Sequence, residues 1–494
     1  MPGRENGRTP VARVCLSALL VALVGLRIAA AAPPSAPLAD AARRGDWAAV
    51  RALVEAGADV SARQGDDSTA LHWASYRDNR EIAALLVRAG AEVDVTNDLG
   101  VTPLWAACEN GSSAMVTLLL EAEADPNGAL PFGETPLMTA ARAGAADAVR
   151  QLLSAGADVD AATEAGAYGA QTALMWAVAQ AHPAVVEVLL AHGADVHARS
   201  TTFTETVKTI PTYANYGLQC VPRYECYITE VRSGGFTPLL FAARVGDLAS
   251  ARLLVAAGAD VNDAAPDGAS ALAVAALSGH GAVGAFLLDR GADPNAAEGG
   301  YAPLHAAILH RDAMLAETLL SAGADPAARV SASTRYTRDS ADFFFPPWFV
   351  GAPAFWLAAR HRDADIMRLL ALHGADPLTT HSPAYWTRDQ GTAASRMWVE
   401  EGETTALMAA AGLGGRDPLW SVEHRARVAE VTELGRGPDR AAAETATLEA
   451  VKVAVELGVA VNAANARGRT AVSAARSNGF DEVVAFLVEH GARR

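Results

Sequence analysis

The chain has 494 residues, of which 51% are hydrophobic but only 6% aromatic, and its formal net charge is −16. Alanine supplies much of the apolar content, which favours closely packed helices. The acidic balance argues against nucleic acid or an anionic membrane as the main partner, because neutralising phosphates requires a basic surface.

Residues 1–32 have the pattern of an export signal. Arg4, Arg8 and Arg13 precede the apolar run VCLSALLVALVGL, and the small residues of IAAAAPP offer a cleavage site. We therefore expect an exported protein, periplasmic or secreted, whose mature chain is residues 33–494 and has no membrane span. An uncleaved anchor is the alternative, because Arg27 is atypical at its position. The signal and the scarcity of lysine favour a bacterial origin.

Short words recur along the rest of the chain at a period near 33 residues. TALHWA begins at Thr69, TPLWAA at Thr102 and TPLMTA at Thr135, and weaker copies continue to Thr470. A second word, GAD, trails most of them at a constant offset, as at Gly57. Self-similarity at this period predicts a stack of about eleven helical units, each covering the apolar face of the next.

The residues of each word have local structural reasons. The Thr102 hydroxyl can cap a first helix, and Pro103 suits the first helical position because its missing N–H would have no partner there. The glycine of GAD is expected to end the second helix at positive φ. Glu123 replaces that glycine in EAEADPN, which should cost about 1 kcal/mol if the turn is kept.

These words resemble the ankyrin repeat, with its T-P-L-H-x-A-A, G-H, V-x-x-L-L and G-A-D-x-N elements. The resemblance covers the mature chain apart from four insertions. It implies an all-α solenoid of helix–turn–helix repeats with hairpin fingers, and a scaffold that binds a protein or peptide in a concave groove. We expect the protein to act as a monomer, without a cofactor or metal.

Two motifs suggest catalysis when they are considered without their positions in the repeat. Gly279, Gly281 and Gly284 have the G-x-G-x-x-G spacing of a dinucleotide-binding loop, but they follow a helix, whereas such a loop must follow a strand. The kinase-like triplet HRD occurs at His310 and His361, both where a first helix ends, without the accompanying kinase motifs. The sequence therefore predicts a protein that is not an enzyme.

The ends of the first helices are the expected partner contacts in the groove. These residues are Tyr76, Arg77, Glu109, Arg142, Arg244, His310, Arg360 and His361. The recurring arginines predict a cationic strip that could pair with carboxylate-bearing peptides. The alternative is that arginine is simply common at solvated helix ends.

Four insertions interrupt the period. Those near residues 199–232, 331–350 and 380–402 follow GAD words, on the finger side, and the fourth, at 416–445, separates the two helices of repeat ten. The first three are rich in aromatic residues, and one hypothesis is that they fold over the groove as an aromatic pocket. Its lining would be Phe343, Phe344, Phe345, Trp348, Tyr385, Trp386 and Trp398. A local core that ties down long loops is the alternative. These insertions also leave room for an enzyme or a small-molecule site.

Two cysteines in the first insertion, Cys220 and Cys226, lie close together in CVPRYEC. In an oxidising compartment they could form a local disulfide. Metal binding is the alternative, but no Cys/His cluster supplies the further ligands that a zinc site needs.

Overall fold

The computed structural model describes residues 36–164, 169–209, 227–332, 349–388, 396–400, 402–413 and 440–493. Short helices follow one another in pairs, and most of the described segments between pairs consist of turns and irregular backbone. The chain divides into two compact units, one ending at Pro131 and one beginning at Phe132. The predicted export signal, residues 1–32, lies outside the described residues.

The first unit contains three helix pairs among its described residues. They are α1 (Pro37–Arg44) with α2 (Trp47–Glu55), α3 (Ala70–Tyr76) with α4 (Arg80–Arg88), and α5 (Pro103–Glu109) with α6 (Ser113–Glu121). First helices pack on first helices, from α1 to α3 to α5, and second helices on second helices.

The second unit continues the same pattern through eight described pairs. They are α7 (Pro136–Ala143) and α8 (Ala146–Ser154); α9 (Ala173–Ala179) and α10 (Pro183–Ala191); α11 (Pro238–Val245) and α12 (Leu248–Ala256); α13 (Ala271–Leu277) and α14 (Gly281–Asp289); α15 (Pro303–His310) and α16 (Ala313–Ser321); α17 (Ala354–Arg360) and α18 (Ala364–Leu372); α19 (Ala406–Ala410) and α20 (Arg440–Glu456); and α21 (Ala471–Asn478) and α22 (Asp481–Glu489). Each first helix again packs on the next first helix. The predicted fold, an all-α stack of helix pairs, is confirmed.

Side-chain caps fix where these helices begin. The Thr102 hydroxyl accepts the backbone N–H of Trp105 at 3.1 Å, and Pro103 occupies the first turn, as the sequence predicts. Second helices use other short polar caps, such as Asn79 for α4 and Asp312 for α16. Each cap satisfies an N–H group that the helix itself leaves without an acceptor.

Leucine and alanine form the core of each stack. The residue two positions after each described first-helix cap is buried and apolar; it is Phe355 in α17, Val472 in α21 and leucine in the others, as at Leu71. Each such side chain stabilises the fold by about 1.5–3 kcal/mol. Alanines lie on the same helices and let neighbouring first helices approach closely. In the pair Leu253 and Leu254, the second is fully buried and the first is half-buried, so only one of the two is a full core residue.

The glycine-rich stretch around Gly279 is a turn between two helices. Gly279 lies between α13 and α14 with φ of +76°, whereas Gly281 and Gly284 belong to α14. No strand precedes this stretch, which begins directly after α13, so it lacks the strand–loop–helix context of a dinucleotide site.

Two insertions add β-hairpins that the helical prediction did not include. In the first, β1 (Thr202–Thr209) pairs antiparallel with β2 (Tyr227–Gly234); in the third, β3 (Ala384–Arg388) pairs with β4 (Arg396–Glu400). The sequence signal was available, because TFTETVKT and YITEVRSG are rich in β-branched residues that favour strands.

Candidate interaction surface

The first-helix ends of the first unit are exposed. Tyr76, the last residue of α3, is 56% exposed, and Arg77 and Glu109 are exposed beside their turns. The Arg77 guanidinium donates to the carbonyl of Arg43 at 2.7 Å, so it is held against the neighbouring repeat. An open depression next to this turn is lined by Trp47 and by residues 77–81, which are charged or polar.

Trp73 adds an aromatic ring to this face that the sequence analysis missed. Its indole packs edge-on against Tyr76, with centroids 6.2 Å apart. The indole N–H donates to Gln64 at 2.7 Å, and Gln64 in turn donates to Asp40 at 2.5 Å. This hydrogen-bonded chain fixes Trp73, which is half-buried, and Tyr76 extends beyond it into solvent.

In the second unit, Arg142 lies in a polar cluster. Its guanidinium is 3.4 Å from the Glu134 carboxylate, which also accepts the Thr139 hydroxyl at 2.8 Å. The same guanidinium lies over the ring of Trp176, 5.4 Å from its centroid. Arg142 is therefore paired within the protein, and its charge is partly neutralised by Glu134.

Trp176 and Phe241 occupy the same position on neighbouring first helices, α9 and α11, that Trp73 occupies on α3. Both are half-buried, and Phe236 packs edge-on against Phe241 at 5.6 Å. At the same position most other described repeats carry smaller residues that are buried, such as Ala306, whereas α1 has the half-buried Asp40. These three positions could have been predicted from the sequence, because each has an aromatic residue four positions after the helix cap. Arg244, at the end of α11, is exposed.

His310 has a structural role at the end of α15. Its Nε2 donates to the carbonyl of Leu277 in the preceding repeat at 2.6 Å, and burial lowers the pKa of the imidazole. His182 and His280 make the same kind of bond to Arg142 and Arg244, at 3.1 Å each. These rings join consecutive repeats. This structural role explains the histidines at these turns without any contact to a binding partner.

The turn after α17 corrects the expectation that every first-helix end faces solvent. Arg360 and His361 are 1% and 4% exposed, and Arg362 is buried as well. The ring of Phe349 lies 5.9 Å from that of His361, and the Arg362 guanidinium lies 5.6 Å from the ring of Phe480. The cationic strip is therefore interrupted here, because these residues belong to the interior.

Only some of the aromatic residues predicted to line a pocket lie among the described residues. Phe344 and Trp348 lie outside the described residues, as do Cys220 and Cys226, so their pocket and disulfide stay predictions. Trp386 and Trp398 are directly opposite each other in the β3–β4 ladder. The register thus brings two of the predicted pocket residues to the same point of one hairpin.

The described residues contain no group of His, Cys, Asp and Glu side chains that could hold a metal ion. Cys108 is fully buried, and burial raises the pKa of its thiol, so it is held as a thiol at neutral pH. Within the same described ranges, no helix is both long and apolar enough to cross a bilayer.

Comparison with known proteins agrees with this architecture. A family model for ankyrin repeats, three copies, matches residues 38–129, 124–200, 214–297 and 239–330. Among solved structures, the chain is similar to the human ASB11 ankyrin repeat domain, with 26% identity, 53% of this chain and 100% of that chain covered, and a TM-score of 0.41. No curated protein matches in sequence. Ankyrin repeats generally serve as protein-interaction scaffolds, and over more than half of its length this chain belongs to the ankyrin-repeat family.

Proposed function

We propose that this protein is a non-enzymatic scaffold that binds a protein or peptide partner. Membership of the ankyrin-repeat family supports a role in protein interaction. The face that we assign to binding is formed by the first-helix ends and by the fingers, the segments between each GAD word and the next first helix.

The placement of aromatic side chains carries this proposal. Trp73, Trp176 and Phe241 lie at one repeat position where most of the other described repeats have smaller, buried residues, and all three side chains are only half-buried. Core packing does not require an aromatic residue there, because Ala306 fills the same position with no exposed surface. Aromatic rings supply large contact areas at interfaces. Contact with a partner therefore explains why these positions have aromatic residues where alanine would be enough for core packing.

We further propose that the protein is exported to the periplasm or beyond the cell and acts as a monomer. The apolar segment after Arg13 supports export. N-terminal sequencing of the mature protein tests this directly: cleavage near residues 30–32 is expected, and a full-length N-terminus on a protein recovered in the cytoplasm would contradict it.

We also assign a role in binding to Trp386 and Trp398. Replacing either tryptophan by alanine should weaken capture of the partner without lowering the midpoint of unfolding.

Site-specific photocrosslinking tests the binding face. A benzoylphenylalanine residue is placed at Tyr76 or at Phe241, and, as a matched control, at Met314, which is 79% exposed on the second helix α16. Exposing the protein to its native envelope extract should give a discrete adduct from the two first-helix positions and none from position 314. The same adduct pattern from all three positions would show that this face is not the binding surface.

A further inference from the structure

His305 and His72 occupy the third position of a first helix, and each bridges two repeats. The corresponding residues elsewhere include Trp105, Met138 and Leu240, which cannot make the same pair of bonds. Histidine occurs at this position once in each described unit. The bridge is therefore a feature of particular repeats, and it places a titratable ring inside the stack.

The hydrogen bonds of His305 require a neutral ring. The backbone N–H of Ala302 donates to Nδ1 at 3.0 Å, and Nε2 lies 3.0 Å from the carbonyl of Ala328. Since Nδ1 accepts and a carbonyl can only accept, the single proton of the ring must be on Nε2. His72 has the same arrangement, with Thr69 N–H at 3.1 Å and the Val101 carbonyl at 2.9 Å.

These two bonds join the start of α15 to the finger that follows α16. Ala302 is the cap residue of α15, and Ala328 lies in the finger at residues 323–332. Protonation at Nδ1 would direct an N–H group at the Ala302 N–H, so that bond could not persist. The cation would then lie in a fully buried site, where an ionised group is costly.

Few charged groups act on His305. α13, packed on one side, has no ionisable side chain, and on the other side Arg360 is at the far end of α17. On α16, Asp312 is engaged in capping the helix and Glu317 is exposed. Burial of Tyr301 raises the pKa of its phenol, which keeps it neutral. Burial of His305 outweighs the Ala328 carbonyl and the Asp325 carboxylate, and lowers the pKa of the imidazole to about 4.

We propose that His305 is an acid-sensitive latch, in which protonation of the ring breaks the Ala302 bond and loosens the start of α15. The device acts within the second unit and does not depend on which partner the scaffold binds. It differs from His310, whose bond to the Leu277 carbonyl persists when the ring is protonated.

Amide hydrogen exchange at Ala302 tests the latch in the full chain. If opening restores an ordinary histidine pKa of about 6.5, the opening equilibrium should rise about 20-fold between pH 7 and pH 5, after correction for intrinsic exchange rates. The variant His305→Gln keeps an N–H donor for the Ala328 carbonyl but does not titrate, so the rise should vanish. His373→Gln, a matched change of an exposed histidine two helices away, should keep it.

Three results would overturn the proposal. They are an unchanged opening equilibrium in the native protein, an equal rise in His305→Gln, and loss of the rise in His373→Gln. If His305→Gln does not fold, an NMR titration that measures the pKa of His305 in the native protein tests the proposal instead. A value well below 6.5, with the Ala302 amide shifting at the same midpoint, supports the latch, and an ordinary value contradicts it.

Discussion

Replacing Glu123 by glycine should stabilise the first unit. Eleven described turns end a second helix, glycine occupies ten of them, and Glu123 occupies the other with φ of +66°. Its backbone still makes the usual turn, since Glu123 N–H donates to Leu120 and Ala124 N–H to Leu119, each at 3.0 Å. The left-handed turn is kept, so the Glu123 side chain is held in a conformation that L residues disfavour.

The expected gain follows from two opposing effects. A side chain in the left-handed region costs about 1–2 kcal/mol. Glycine removes that cost but makes the unfolded chain more flexible, which takes back about 0.5–1 kcal/mol. The net increase in the free energy of unfolding should be about 0.5–1 kcal/mol, measured as a shift of the urea midpoint followed by far-UV circular dichroism.

Two further variants separate backbone strain from charge. Glu123→Ala removes a carboxylate near Glu121 and Asp125 but keeps the Cβ atom, so it should change stability little. Gly57→Ala introduces strain into the equivalent turn of the same unit, where a Cβ atom would meet nothing within 4 Å, and should cost about 1 kcal/mol. If Glu123→Ala stabilises as much as Glu123→Gly, charge repulsion is the cause and the strain argument fails.

Other substitutions and pH test further contacts. The Asp160 carboxylate accepts the backbone N–H of Asp195 in the next repeat at 2.8 Å, but it cannot donate a hydrogen bond, whereas the Asn295 amide also donates to the Gly323 carbonyl. Asp160→Asn should therefore raise the free energy of unfolding in urea by about 0.5 kcal/mol, and Asn295→Asp should lower it by about 1 kcal/mol. Ser75 is fully buried, and its hydroxyl has no hydrogen-bond partner among the described residues, so Ser75→Ala should raise the free energy of unfolding by about 1 kcal/mol; a loss would reveal an unseen partner. The pKa of His305 is lower in the folded protein than in the unfolded chain, so its contribution is complete above about pH 6.5 and is lost as pH falls towards 4. Wild-type stability should fall by roughly 3 kcal/mol more than that of His305→Gln over this interval, and parallel pH curves would contradict the assignment.

Sequence reasoning succeeded where the structural cause is local. The Thr102 cap and the position of Pro103 in the first turn each depend on a few consecutive residues, and both are found as predicted. The β1–β2 hairpin was not predicted although its β-branched residues were a usable signal, because the predictions for this insertion rested on its aromatic residues and cysteines.

The period of the words was enough to determine the helix pairs, their order and the position of most turns, because caps, prolines and turn glycines act over a few bonds. Only the tertiary structure decided which equivalent turns meet solvent. Arg77 and Arg360 stand at adjoining positions of the same kind of turn, yet one is exposed and the other buried. Burial is set by side chains from distant segments, such as Phe349 and Phe480 against the turn after Arg360, and no short repeat word carries that information.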